Sequence, residues 1–405
     1  MAIVALAFAV LELGSATDLG LVLLAREIPM VVLVLLGGVF ADRVPRRLIL
    51  VVCDLMRGTA QATTAGLLFA GSASVWNVAL LQAAFGLATA FSRPATTGIV
   101  REAVRDPLLQ EANALLSLAR SSFSVVGPAL GGLIVAAANP AWALAADGAT
   151  FFASALLIAS MRLVVSQRVA TGSLLRDLRD GWREFVARSW LVAIVVAAGI
   201  FQLTFFPALL VLGPVVAKDE LGGAGVWGTI LALQSAGALA GALVVLRLRF
   251  GRPLVATMLA VLPAGVMLAM LAVPLPVAAI ALTSFLVGVG FAVGGTLWDT
   301  SLQRNVPEHA LSRVSSFDWL GSIALNPIGY ALVGPLSAAI GIAETLALSA
   351  CLNVAASLGV LLVPSVRELR AETKAAELGP ATGQAFASAQ SSPTPTSTAS
   401  GGSSG

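Results

Sequence analysis

Gly38-Val39-Phe40-Ala41-Asp42-Arg43-Val44-Pro45-Arg46-Arg47 is a dense charge cluster set between two apolar stretches of about 20 residues each. An acid and three arginines cannot lie in hydrocarbon, so the helices on either side must both end here, at one water interface. Working outward from this turn assigns the whole chain. The 405 residues are 58% hydrophobic and 11% charged, with a mean hydropathy of +0.93, which excludes a soluble globule with a polar skin. The apolar stretches are too long, and too free of period-two alternation, for outer-membrane strands. An all-α membrane protein is therefore predicted.

A window of about 19 residues finds apolar spans at 19–41, 48–70, 75–97, 112–138 and 141–162, then at 191–216, 227–248, 254–273, 277–299, 314–338 and 341–363. Met1 to Leu13 reads as the outer part of a further, truncated first helix, from a late start site or a true truncation. Of the 24 Lys and Arg, nineteen fall in the Asp42 turn, in the loops 98–111, 163–190, 247–253 and 300–313, or in the tail, counting Arg162 at the edge of the linker. Only Lys218 falls in the alternate loops, and the other four lie within spans. Basic loops stay in the cytoplasm, so the Asp42 turn is expected there, as are both termini once the first helix is complete. The predicted organisation is a helix bundle over 1–162, a linker over 163–190, a second bundle over 191–364, and a disordered tail over 365–405. The linker places Leu174, Leu175, Leu178, Trp182, Phe185 and Val186 at helical spacing among charges, an amphipathic helix that either couples the bundles or lies on headgroups. A shift of 202 residues overlays Val104, Leu109, Gly127 and Gly132 on Val306, Leu311, Gly329 and Gly334. Such a repeat implies two bundles about an axis along the membrane normal, with a solute site between them.

Gly38, Asp42, Arg43, Arg46, Arg47 and Leu50, with Pro45 where glycine is usual, resemble the signature loop between helices two and three of the major facilitator superfamily. Ala112-Asn113-Ala114-Leu115, Asp147-Gly148-Ala149-Thr150-Phe151 and Arg313-Val314-Ser315-Ser316 are similar to its branch of enterobactin exporters and transmembrane secretion effectors. The resemblance implies the major facilitator fold, two six-helix bundles related by a pseudo-two-fold axis. It also implies a latch, in which Asp42 accepts hydrogen bonds from the positive end of a helix in the other half, the one beginning near Arg313. Arg43, Arg46 and Arg47 would pair with carboxylates or lipid phosphates. Gly127, Pro128, Gly131 and Gly132 resemble a section of a motif associated with antiporters, although Phe123 stands where an earlier glycine is expected. Small residues four and five apart also suit plain helix packing, and both readings stay open. Gly288, Gly290, Gly294 and Gly295 imitate a dinucleotide loop, but inside an apolar span they read as packing.

Charges within spans are costly, about 2.5 to 3.5 kcal/mol or more each at the bilayer centre unless paired or wetted. A proton carrier needs a carboxylate that responds to desolvation and to nearby cations, which makes Asp147, Asp54 and Glu27 the candidates. Asp54 and Arg57 share a helical face and can neutralise each other, whereas adjacent Arg26 and Glu27 point apart. Asp299 and Asp318 lie near the cytoplasmic ends of their spans, where gating or solvation explains them as well as proton carriage. Gln82 occupies the place of the arginine expected in the superfamily's proton-coupling motif. The resemblance draws a cavity from spans one, four, seven and ten, here Gln82, Thr89, Phe201, Gln202, Thr204, Phe205, Thr283, Ser284 and Trp298, each of which also fits a packing role.

Few charges and several aromatics in that set favour an amphiphilic solute. No Gly-x-x-x-x-Gly-Lys-Ser/Thr run exists, so ATP hydrolysis on this chain is not expected. Cys53 and Cys351 fall inside spans and His309 stands alone among histidines, so neither a disulfide framework nor a metal centre is expected. The reading is a monomeric secondary exporter of small amphiphilic molecules in a bacterial cytoplasmic membrane, driven by proton influx. It needs no cofactor, does not bind nucleic acid, and is not an enzyme. An importer or lysolipid transporter of the same fold is one alternative, and a non-transporting sensor or assembly factor is another.

Overall fold

The computed structural model describes residues 1–41, 44–104, 108–161, 182–248, 250–273 and 275–370. For 34–41, 93, 94, 97, 98, 100–103, 109, 110, 113, 114, 117, 118, 308–313 and 316 only the backbone is described. The chain is helical throughout these segments. In order come α1 (Ala2–Leu13), α2 (Ala16–Ala41), α3 (Arg46–Phe69), α4 (Val75–Ala103), α5 (Leu109–Ala137), α6 (Pro140–Ser160) and α7 (Ser189–Pro207). There follow α8 (Ala224–Arg247), α9 (Pro253–Ala260), α10 (Leu262–Ala272), α11 (Val277–Asn305), α12 (Glu308–Ile323), α13 (Asn326–Ile340), α14 (Ile342–Gly359) and α15 (Pro364–Glu368). Among the described residues nine runs are long and apolar enough to cross a membrane, with α9–α10 and α12–α13 each making one. α2 and α3, of 26 and 24 residues, and the twelve-residue α1 complete the set.

The helices outrun the apolar spans because hydropathy marks hydrocarbon depth and not the end of hydrogen bonding. α4 continues to Ala103 and α11 to Asn305, carrying Arg101 and Arg304 on helical backbone. The helix expected to begin near Arg313 begins five residues earlier, at Glu308 after Pro307. It is also interrupted at Ala324 and Leu325, because Pro327 has no N–H for the Ile323 carbonyl. Pro263 divides α9 from α10 in the same way.

Lys218, expected in a loop, is helical. Past Pro207 the chain runs on through a π turn (Ala208–Leu212), an α turn (Gly213–Val216) and a second π turn (Ala217–Leu221). Pro214 cannot bond to the carbonyl four back, and the wide turns absorb that missing donor. The run ends at Gly222 and Gly223, whose φ of 97° and 90° suit only glycine.

Successive helices reverse direction, so the Gly14, Ser72, Gly222 and Gly341 turns share one face of the molecule and Pro45, Val306 and Val363 the other. We term these the Gly14 and Pro45 faces. In one bundle α2 packs on α4, and α3 on α4 and α6; in the other α8 packs on α11, and α10 on α11 and α14. A Cβ on Gly86 would overlap the Arg26 carbonyl oxygen, and one on Gly288, the same 202-residue shift along, would overlap that of Gln234. The repeat is thus built into the closest helix crossing of each bundle.

Between bundles, α5 packs on α8 and α2 on α13. Near the Gly14 ends of α5 and α8 a Cβ on Gly132 would lie 2.9 Å from Gly228 Cα, and one on Gly228 would lie 2.6 Å from the Pro128 oxygen. The Gly14-side piece α13 meets α2, whereas the Pro45-side piece α12 packs on α7 and α11 of its own bundle. Among the described residues, therefore, the bundles close on each other at the Gly14 face.

Most of the linker's amphipathic stretch lies outside the described residues. Its end, helical over 182–186, seats buried Phe185 and exposed Trp182 against Phe317 of α12, with ring centroids 6.3 and 5.5 Å away. The chain also stays packed beyond 364. Val366 is buried and Ser365 Oγ lies 2.9 Å from Ser189 Oγ, while 371–405 lie outside the described residues.

Candidate functional site

α6 starts cleanly because Asn139 Oδ1 accepts from the Trp142 N–H at 3.3 Å and Pro140 fills the first helical position. Gly148 on α6 and Gly58 on α3 then let these helices approach, a Gly148 Cβ falling 3.2 Å from the Gly58 oxygen. That approach brings Gln61 to Asp147, where Gln61 Nε2 donates to Asp147 Oδ2 at 3.0 Å. Gln82 of α4 donates through Nε2 to Gln61 Oε1 at 3.2 Å. Both glutamines are 0% exposed, and Gln82 Oε1 is left without a hydrogen-bond partner. The result is a buried polar chain across α4, α3 and α6 that ends on a partly exposed carboxylate.

Two turns towards the Pro45 face, Asp54 is buried and doubly satisfied. It forms an ion pair with Arg57 and accepts from Ser154 Oγ at 2.6 Å. The Arg57 guanidinium sits 4.8 Å from the Phe151 ring centroid, and that of Arg26 on α2 sits 4.2 Å from the Phe85 centroid.

Glu27 stands apart from the other two candidate carboxylates because it reaches the second bundle. Asn326 Nδ2 of α13 donates to Glu27 Oε2 at 3.5 Å, the outer limit of a hydrogen bond. Asn326 Oδ1 is buried without a hydrogen-bond partner, and Tyr330, one turn on, is buried beside the Arg26–Glu27 pair. At the Gly14 face Lys218 Nζ donates to the Leu11 carbonyl oxygen at 3.1 Å. This places a cation at the C-terminal, partially negative end of α1.

Of the latch residues, Asp42 and Arg43 lie outside the described residues. Gly38 is on the last turns of α2, Arg46 and Arg47 open α3, and Arg47 is exposed. Of the antiporter-like residues, Gly127 and Gly131 face Met1, while Pro128 and Gly132 face Gly228 of the other bundle. Each of the three glycines stands where helices approach closely.

In the second bundle Phe201, Phe205 and Phe206 of α7 and Phe291 of α11 form a cluster midway along the bundle. Phe201 lies 4.9 Å from Phe205 and 5.6 Å from Phe291, centroid to centroid. Phe205 is buried, whereas Phe201, Phe206, Phe291 and Gln202 are partly exposed. Other expected cavity residues are placed differently. Ser284 is buried and donates to the Ile230 oxygen of α8 at 2.9 Å. Thr283 is buried against Met270 Sδ at 3.2 Å, and Thr204 donates back to the Ile200 oxygen at 2.8 Å. Thr89 is partly exposed and donates to the Phe85 oxygen at 2.8 Å. Trp298, also partly exposed, donates through Nε1 to Asp318 Oδ2 at 3.1 Å; Asp299 is exposed. Gln61, Ser154, Asn326, Phe206 and Phe291 were not singled out by sequence reasoning. Only Gln61 carried a signal there, an amide two turns from Asp54 on one face of an apolar span.

The family model for transmembrane secretion effectors matches residues 1–390. The chain is 29% identical over 387 residues to the multidrug efflux pump Tap of Mycolicibacterium fortuitum, covering 89% of this chain and 90% of the relative. It is 28% identical over 312 residues to the enterobactin exporter EntS of Escherichia coli O127:H6, covering 75% and 73%. Among solved structures, the nucleoside transporter NupG superposes with a TM-score of 0.71 at 12% identity, over 89% of this chain and 94% of that one. A bacterial homologue of the iron transporter ferroportin, captured inward-facing, gives 0.61 at 18% identity over 88% and 91%. These superpositions identify the fold as that of major facilitator transporters.

Proposed function

Because the chain belongs to the transmembrane secretion effector family, which makes it a multi-pass membrane transporter and not an enzyme, we propose that it exports small amphiphilic molecules by alternating access in exchange for protons. The observation that carries this reading is the division of labour between bundles. Carboxylates and amides line the interior of the first, and a phenylalanine cluster with three partly exposed rings stands midway along the second. An apolar aromatic wall beside few polar groups binds flat, amphiphilic solutes better than sugars or phosphates. Efflux of several drugs by Tap and of enterobactin by EntS fits the same solute class.

In this reading the bundles 1–162 and 191–364 rock about the solute site, with residues 163–190 joining them. The Pro45 face, which gathers the arginines, is cytoplasmic, as is the C-terminal end of the chain, and the membrane is the bacterial cytoplasmic one. A structure closed at the Gly14 face is then the state that loads solute from inside. Asp42, Arg43, Arg46 and Arg47 latch the opposite state at the Pro45 face, with lipid phosphates as further partners of the arginines. The protein works as a monomer.

The test is accumulation of a fluorescent amphiphilic dye in inverted vesicles with an acidified lumen. Uptake that follows the pH gradient and collapses with a protonophore is the expected result. Uptake that follows only the dye's own gradient rejects proton coupling, and no movement of any amphiphile in vesicles of purified protein rejects export.

A further inference from the structure

We propose that the solute is a flat cationic amphiphile, whose charge is held by Asp299 and Asp318 beside Trp298 while its ring lies on the phenylalanine cluster. This names the solute class of the export reading above and rests on it.

Two pairs of rings bridge α7 and α11. Phe201 and Phe291 meet midway along the bundle at 5.6 Å, and Trp190 and Trp298 meet nearer the Pro45 face at 5.8 Å, centroid to centroid. Phe291 and Trp298 are two turns apart on one face of α11. On the same side of that helix Phe291, Gly295 and Asp299 follow at intervals of four, the first partly exposed and the other two exposed. A Cβ on Gly295 would meet nothing within 4 Å. Gly290 and Gly294 turn the opposite way, to Ala260 and Thr257 of α9, a helix that packs within its own bundle. The open stripe therefore fronts the space between the bundles, which a structure closed at the Gly14 face leaves to be entered from the Pro45 face.

The charges at the mouth of this stripe are unbalanced. Trp298 Nε1, a neutral donor, bonds to Asp318 Oδ2 at 3.1 Å, and the charge that acts on Asp318 is a second carboxylate, Asp299. Among the described residues neither is in an ion pair. Like charges side by side repel, and a cation placed between them relieves both at once. The interior arginines of the first bundle offer no matching place to an anion, because Arg57 is paired with Asp54 and Arg26 is balanced by Glu27 and Asp147.

Trp298 adds a second attraction. Its N–H is tied to Asp318 and its ring is set against Trp190 in a T, so the indole is a fixed platform for a cation. From Phe291 to Asp299 the stripe runs about 12 Å, the length of a fused aromatic ring with an amine at its end. Ring preference is thus set midway along the bundle, and charge preference at the entrance.

The test reads binding without a gradient. The full chain in phosphatidylcholine nanodiscs, with empty nanodiscs as baseline, is titrated with rhodamine 6G, a cationic xanthene, and with fluorescein, an anionic one, and followed by fluorescence anisotropy. Rhodamine 6G is expected to bind about tenfold more tightly. Asp299→Asn combined with Asp318→Asn is expected to remove that preference by weakening the cation, while the new amide still accepts from Trp298. Asp299→Asn alone, at an exposed position, keeps the fold and is expected to lose part of the preference, and Asp147→Asn to lose none. Equal binding of the two dyes, no binding of rhodamine 6G, a preference unchanged in either Asp299 variant, or its loss in Asp147→Asn overturns the proposal. Dyes that bind without regard to charge and still move with the pH gradient leave export standing; a cation that binds and never moves rejects export and leaves the charge preference standing.

Discussion

Gln61 binds Asp147 and Gln82 at once, donating 3.0 Å to the carboxylate and accepting at 3.2 Å from the second amide. It is the middle link, so its removal strands both ends. Gln61→Leu is expected to cost about 1 to 3 kcal/mol, the penalty for orphaned buried polar groups. Gln82→Leu removes a residue whose own Oε1 already lacks a partner and is expected to cost less. Thermal unfolding of the purified protein in detergent ranks the two, and equal losses would contradict the geometry.

The Asp54–Arg57 pair predicts strong non-additivity. Arg57→Gln leaves a buried carboxylate without its cation and is expected to destabilise by about 3 to 5 kcal/mol. Asp54→Asn combined with Arg57→Gln is expected to recover most of that loss, because no lone charge remains. The double variant is expected to keep pH-driven dye uptake; loss of proton coupling with normal expression would return Asp54 to the list of carriers.

Two glycines on helices of the first bundle are expected to respond oppositely to alanine. Gly86→Ala drives a methyl into the Arg26 carbonyl and is expected to cost about 1 to 3 kcal/mol or more by overpacking. Gly66 has open space at its Cβ position, so Gly66→Ala is expected to be neutral or to stabilise by up to about 1 kcal/mol through helix propensity. Melting temperatures of the two variants check this.

The phenylalanine cluster separates a packing ring from a contact ring. Phe205→Ala empties a fully buried site and is expected to cost about 3 to 5 kcal/mol of stability. Phe201→Ala, at a partly exposed ring, is expected to spare most of the stability and to weaken dye binding by about tenfold, close to 1.4 kcal/mol. Binding measured by fluorescence anisotropy alongside melting distinguishes these outcomes.

What the sequence revealed follows from how each signal is encoded. The crossings are local properties of composition and emerged with their order right, because a polar turn such as Pro45 to Arg47 stops a span wherever it falls. Helix ends were missed where charged residues such as Arg304 stay helical beyond hydrocarbon. The π turns after Pro207 were invisible, because a wide turn and an ordinary one are made of the same apolar residues. Asp54 and Arg57, three apart, announced their pairing. Glu27 and Asn326 did not, since their contact joins positions 299 residues apart and depends on how two bundles lean together. The expected cavity residues divide on the same ground: Ser284 and Thr283 are absorbed by neighbouring helices, a matter of rotation about a helix axis that apolar periodicity leaves undetermined in spans hydrophobic all round.

The interruption at Ala324 and Leu325 gives the eleventh crossing a joint where its neighbours have a beam. The Gly14-side segment touches α2 of the first bundle as well as α7 and α14 of its own, whereas the other packs within the second bundle, so a bend of a few residues at Pro327 can move the segment at the seam without dragging the whole rod along. Asn326 stands at that joint, which puts the residue that contacts Glu27 at the point of greatest leverage.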